Sequence, residues 1–206
     1  LQLKMLNVHL ERISDIAYTS PDPASEIPLH LQRGTAQPAK VEACSLSFSH
    51  GNNVPLFSDI NFSVPAGSSI AITGESGCGK STLLKCLMGL LTAQGKILLD
   101  GQPLERILNY RSRIAAVLQD DLLLSGSIGE NISCFDPAVD IDKTMRCARL
   151  ACIHEDIAMM PMQYNTRVGD MGSTLSGGQV QRIMLARAFY REPDILFLDE
   201  ATCHLD

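Results

Sequence analysis

The chain has 206 residues, 45% of them hydrophobic, enough for one domain of ordinary size with a packed core. A formal charge of −6 excludes a nucleic-acid binder that relies on a broad basic face. It leaves a phosphate ligand open, because such a site needs only a few local donors and one cation. Cysteines at 44, 78, 86, 134, 147, 152 and 203, with no CxxC pair, suit a reducing compartment and argue against both a disulfide framework and zinc. No signal peptide is visible, and no apolar run approaches the ~20 residues of a membrane-spanning helix. Because it begins at Leu1 rather than Met, the sequence reads as a fragment.

Leu3, Leu6, Leu10, Ile13 and Ala17 recur at steps of three and four, an apolar helical stripe over residues 1–18. Pro21, Pro23, Pro28 and Pro38 then interrupt a polar stretch that cannot continue a helix and reads as a linker. The compact domain is expected from about Val41. Strands are predicted over 41–48 and 56–64, the second with Ile60, Phe62 and Val64 alternating, and a buried strand over 70–72. A helix is predicted from Lys80 to Leu91, strands from Gly95 to Gly101 and from Ile114 to Leu118. A mostly helical stretch from about Ser127 to Met160 is interrupted by Asp136-Pro137. A helix from Gly177 to Tyr190 and an apolar strand from Ile195 to Leu198 complete an α/β pattern with a largely parallel core sheet.

Gly74-Glu75-Ser76-Gly77-Cys78-Gly79-Lys80-Ser81-Thr82 fits G-x-x-x-x-G-K-[ST] in full. Glycines let a backbone curl around phosphate oxygens and turn successive N–H groups inward. The following helix adds its N-terminal donors and the positive end of its dipole. Lys80 would reach the β- and γ-phosphates, Ser81 would ligate Mg²⁺ and Thr82 would assist at the α-phosphate. A chance glycine-rich turn is the bland alternative, but this one sits between a predicted strand and a predicted helix, as the motif requires. Cys78 could be alkylated with loss of nucleotide binding, although a tolerated spacer is the simpler reading.

The strand 195–198 ends in Asp199-Glu200. Such a pair alone means little, but beside a phosphate loop Asp199 is expected in the Mg²⁺ shell. Glu200 is placed to polarise the attacking water, a general-base role typically worth about 10²–10⁴-fold in rate. Leu175-Ser176-Gly177-Gly178-Gln179 opens a helix with a hydroxyl and two glycines, a second anion cradle. One nucleotide hardly needs two cradles in one subunit, so the second is expected to serve a neighbour's ATP.

LSGGQ lying between a P-loop and a strand ending in Asp-Glu resembles the signature sequence of ABC ATPases. The resemblance spans about residues 41–206. It implies a P-loop NTPase fold with a mostly parallel core sheet, an antiparallel β subdomain and a helical signature subdomain. It also implies that two copies sandwich ATP head to tail, with Ser176, Gly177, Gly178 and Gln179 of one facing the γ-phosphate held by Lys80 of the other. Gln119 looks like the Q-loop glutamine that contacts Mg²⁺ and water and senses the membrane domain. Residues 166–172 resemble the cross-subunit loop of exporters, and Ala201-Thr202-Cys203-His204-Leu205-Asp206 looks like the D-loop.

Two departures stand out. The adenine-stacking aromatic of exporters is matched by His50, whose imidazole offers less area than tyrosine. The family's switch histidine would lie beyond Asp206, and His204 is not its equivalent, so the chain as given is expected to bind nucleotide poorly and hydrolyse it slowly or not at all. The segment Leu6-Asn7-Val8-His9-Leu10-Glu11-Arg12-Ile13-Ser14-Asp15-Ile16, with 168–172 and 202–206, resembles peptidase-containing bacteriocin exporters of the colicin V type. By that resemblance residues 1–39 are the end of a membrane helix and a linker, and 40–206 a nucleotide-binding domain ending after the D-loop. The domain would sit at the cytoplasmic face of the bacterial inner membrane, bound to the transmembrane domain of its own polypeptide, with the exported peptide touched by other domains. A lipid- or drug-exporting half-transporter is the alternative. A soluble ABC ATPase lacks support, since 82–175 holds no long heptad run. A silent regulatory cassette is opposed by intact Lys80, Gln119, Asp199 and Glu200.

Overall fold

The computed structural model describes residues 38–51, 54–107, 109–169 and 175–199. All fall in the second of the two units into which the chain divides, Arg33–Asp206. The strands are β1 (Val41–Phe48), β2 (Phe57–Val64), β3 (Gln94–Leu99), β4 (Gln102–Pro103), β5 (Ile114–Val117), β6 (Gly126–Ser127), β7 (Arg167–Val168) and β8 (Ile195–Leu198). The helices are α1 (Lys80–Leu87), α2 (Tyr110–Arg113), α3 (Ile128–Ile132), α4 (Ile141–Leu150), α5 (His154–Ala158) and α6 (Gly177–Tyr190).

Strand β1 buries Val41 and Ala43 in strict alternation, then Leu46, one residue out of step. Ser45 absorbs the extra residue with φ at 48°, and Asp59 does the same on β2 at 52°. The ladder shifts register there, a pair of facing bulges. Asn61 secures them: its Oδ1 accepts the Ser45 N–H at 2.7 Å, and its amide donates to Asp59 O at 2.9 Å. On the other side of β1, Gly95 lies at φ 101°, where an added Cβ would be 2.5 Å from Ser45 O. The antiparallel sheet runs β2-β1-β3-β4.

Strands β5 and β8 pair in parallel, Ile114 opposite Ile195 through Val117 opposite Leu198. Alternate residues serve opposite layers, which explains why both strands are apolar throughout. Ile114 and Phe197 join the core formed by α1 and the antiparallel sheet. Ala115 and Val117 pack with Met184 and Ala188 of α6. A separate core holds the helical part, with Ile128, Ile132, Ile153, Ile157 and Ile183 all at 0% exposure. Full burial of each contributes about 1.5–3 kcal/mol.

Two elements differ from expectation. Residues 70–72 form no ladder among the described residues, and Ile70 is 53% exposed. The apolar triplet signals a need for burial, but a strand also needs a partner edge, and the described strands supply none. Helix α1 stops at Leu87 rather than Leu91, because Gly89 turns left-handed at φ 69° and lets Leu90 N–H return to Lys85 O at 2.9 Å. Buried Tyr110 donates its hydroxyl to Leu87 O at 2.7 Å, closing another orphan carbonyl. The stretch 127–160 is broken into α3, α4 and α5.

The bulge requires glycine at 95. Gly95→Ala combines left-handed strain of about 1–3 kcal/mol with a clash against immovable backbone, so urea unfolding should show a loss at the upper end of that range.

Candidate functional site

The loop 74–82 is shaped by its glycines and closed by its lysine. Gly77 and Gly79 take φ of 80° and 99°, conformations that side-chain-bearing residues avoid. Gly79 is also the N-cap of α1, and a Cβ there would sit 2.9 Å from Leu56 Cγ. A Cβ on Gly74 would meet Cys78 Sγ at 2.8 Å. Lys80 Nζ donates to Gly74 O at 3.0 Å and Glu75 O at 2.8 Å, so its ammonium lies within the curve of the loop. Glu75, Ser76, Gly77 and Cys78 are exposed, while Ser81 and Thr82 are half-buried in the first turn of α1. Open backbone, helix N-terminus and cation converge on one concavity, a fit for a phosphate chain.

His50 is linked to that loop through packing. Its ring meets Phe48 edge-on with centroids 5.0 Å apart, and Phe48 stacks on Phe57 at 6.0 Å. Phe57 and Leu56 are the residues that press on Gly79. The hairpin carrying His50 therefore abuts the loop that carries Lys80.

Parallel pairing puts the carboxyl ends of β5 and β8 side by side, where α/β sheets present their ligands. Asp199 follows β8, only 8% exposed, its N–H donating to Val117 O at 2.9 Å. Gln119 is exposed just past β5, in a turn that Asp121 closes by accepting Leu118 N–H on its carboxylate at 2.8 Å. At the opposite ends, Arg113 Nε donates to Asp194 Oδ2 at 2.6 Å and fixes the pair in register. Glu200 and residues 170–174 and 201–206 lie outside the described residues. Among the described residues no group of three or more His, Cys, Asp or Glu could hold a metal.

The other glycine motif caps α6. Ser176 Oγ accepts Gln179 N–H at 3.2 Å, and Gln179 Oε1 accepts Ser176 N–H at 3.1 Å, a reciprocal capping box. Gly177 and Gly178 occupy the first turn, the former exposed. Since α1 and α6 pack on opposite faces of the β5–β8 pair, the two glycine motifs belong to different layers. Sequence reasoning missed Asp121, Asn131 and Arg187. The only signal available was a buried-type polar residue amid the apolar stripe of α3.

This is the arrangement of a P-loop nucleotide-binding domain. The profile of the ABC transporter family matches residues 57–203, and the chain belongs to that family. It is 46% identical over 211 residues to the colicin V secretion/processing ATP-binding protein CvaB of Escherichia coli, covering 100% of this chain and 30% of that one. The ABC-type transporter kk1G of Curvularia clavata is 40% identical over 204 residues, 95% of this chain and 15% of its own. A solved bacterial Atm1-family ABC exporter with ATP bound superposes with a TM-score of 0.82 at 32% identity, covering 98% of this chain and 36% of that one. The chain thus spans about a third or less of these relatives, and the shared part is an exporter ATPase fold.

Ser176 caps a helix, and the anion-binding role expected of it can be tested apart from that cap. Ser176→Asp keeps a strong cap and favours the helix dipole, so the melting temperature should hold. The added carboxylate should repel phosphate and abolish ATP turnover. Ser176→Ala should instead cost about 1 kcal/mol of stability.

Proposed function

We propose that residues 40–206 bind and hydrolyse Mg-ATP to power export of a peptide by a larger membrane protein. Residues 1–39 would then be the end of its last membrane helix and a linker. The observation that carries this reading is the loop 74–82, whose left-handed glycines and inward Lys80 ammonium suit a polyphosphate. The 46% identity to a colicin V secretion protein across the whole chain supports a peptide cargo and a place at the cytoplasmic face of the inner membrane. Among the described residues no helix is long and apolar enough to cross a membrane.

In this mechanism Gly74, Glu75, Ser76, Gly77, Cys78 and Gly79 present backbone to the phosphates. Lys80 exchanges the Gly74 and Glu75 carbonyls for β- and γ-phosphate oxygens, a swap of neutral acceptors for anionic ones. Thr82 steadies the α-phosphate, and His50 stacks on adenine, backed by Phe48. Ser81, Asp199 and Gln119 would hold Mg²⁺, a set of few oxygen donors that suits this cation when phosphates complete its shell. When bound, Mg²⁺ neutralises charge developing on the β- and γ-oxygens. Glu200 polarises water for attack on the γ-phosphorus, and Gln119 orients it.

A second copy supplies Ser176, Gly177, Gly178 and Gln179 to the same phosphate. The location of α1 and α6 on opposite faces of the sheet supports this, since the two motifs belong to different layers of one copy. ATP binding then closes a head-to-tail dimer, and closure is transmitted to the membrane domain.

The test is thermal melting of the full-length protein with Mg-ATP. At about 100 times Kd, ligand binding contributes about 2.7 kcal/mol, so the wild type should melt several degrees higher. Lys80→Ala should lose the shift. A wild type that melts at the same temperature with and without Mg-ATP contradicts the reading.

A further inference from the structure

Asn131 is a polar side chain at 0% exposure in the middle of α3. Its carboxamide has four hydrogen-bonding positions, and all four are taken. Oδ1 accepts Leu124 N–H at 2.9 Å, and Nδ2 donates to Leu124 O and Ser127 O, each at 2.9 Å. The last position belongs to Arg187 of α6, whose Nη2 donates to Oδ1 while its Nε donates to Asn131 O at 2.8 Å. Burial pushes the guanidinium of Arg187 below its ordinary pKa, while Cys134 and Asp121 work the other way. One buried amide therefore joins three pieces of chain: α3, the segment 118–127 that follows β5, and α6, whose N-cap is Ser176.

We propose that Arg187, seated on Asn131, is a positioning residue for ATP hydrolysis that locks the Gln119-bearing segment 118–127 to the signature helix so that both move as one body. The proposal rests on the assigned functions of Gln119 and the signature, and adds the link between them. Neither residue needs to touch nucleotide. Exposed Leu122 (78%) and Leu124 (58%) show that the segment offers apolar surface outward while its backbone is clamped inward. A force applied at that surface reaches α6 through the hydrogen bonds of Asn131 as well as through Leu123, which packs against the cluster holding Met184 and Ala188.

The experiment compares wild type, Arg187→Gln, Arg187→Lys and Asn131→Asp in the full-length protein. It measures Mg-ATP affinity, ATP turnover per bound nucleotide, and hydrogen exchange of the segment 118–127 and the first turn of α6. Arg187→Gln should keep ATP affinity within about twofold, lower turnover per bound nucleotide at least tenfold, and speed exchange in both regions together. Arg187→Lys, still a cation near Asn131 Oδ1, should recover part of the turnover. Asn131→Asp keeps the guanidinium but loses both donated bonds to Leu124 O and Ser127 O, so exchange should rise in 118–127 while α6 stays protected. If Arg187→Gln does not fold, the Asn131→Asp pattern decides alone: equal exchange in both regions overturns the proposal. Unchanged turnover per bound nucleotide in Arg187→Gln, or loss of ATP affinity in parallel with turnover, also overturns it. Failure of the wild type to bind Mg-ATP would instead sink the functional reading beneath it.

Discussion

Everything at the site depends on the close approach between Gly79 and the β1–β2 hairpin. With no Cβ at 79, Leu56 and Phe57 come within contact distance of the backbone that opens α1. That contact sets where the first turn of α1 points, and hence where its N–H groups and Lys80 converge. It also anchors the phosphate loop to Phe48 and His50 through a run of ring contacts. Any other residue at 79 would have to adopt φ near 99° and push the hairpin away.

The sheet made by β5 and β8 divides the domain into two working layers. On one face lie α1 and the antiparallel sheet, with the phosphate loop. On the other lies α6, with the signature at its head, tied to α5 by the Arg182–Asp156 ion pair at 2.7 Å. The carboxyl ends of the two strands carry Gln119 and Asp199 between these layers. Both layers pack on the same two strands, and the hydrogen bonds around Asn131 tie α3 and the segment 118–127 to α6.

Much of this was legible in the sequence because its signals are local. The phosphate loop is a contiguous run whose glycines each have a backbone reason, and Leu175 to Gln179 is a contiguous motif at the head of a helix. Alternation located β2, and short unbroken apolar runs located β5 and β8. Residues 70–72 were misread because apolar character reports a wish for burial and says nothing about whether a neighbouring strand is there to pair with. The end of α1 was overrun because leucines continue past Gly89, and only the left-handed turn of that glycine closes the helix. Asn131 and Arg187 escaped notice for a different reason. They are 56 positions apart, and nothing in either local segment announces the other.

If the phosphate tail is what the loop recognises, then affinity must reside in that tail. Competition against bound Mg-ATP in the full-length protein, using inorganic tripolyphosphate in one arm and adenosine in the other, measures this directly. Tripolyphosphate should displace the nucleotide far more effectively than adenosine, with the imidazole of His50 giving the base only a weak hold. Displacement by adenosine alone, with tripolyphosphate inert, would contradict the account.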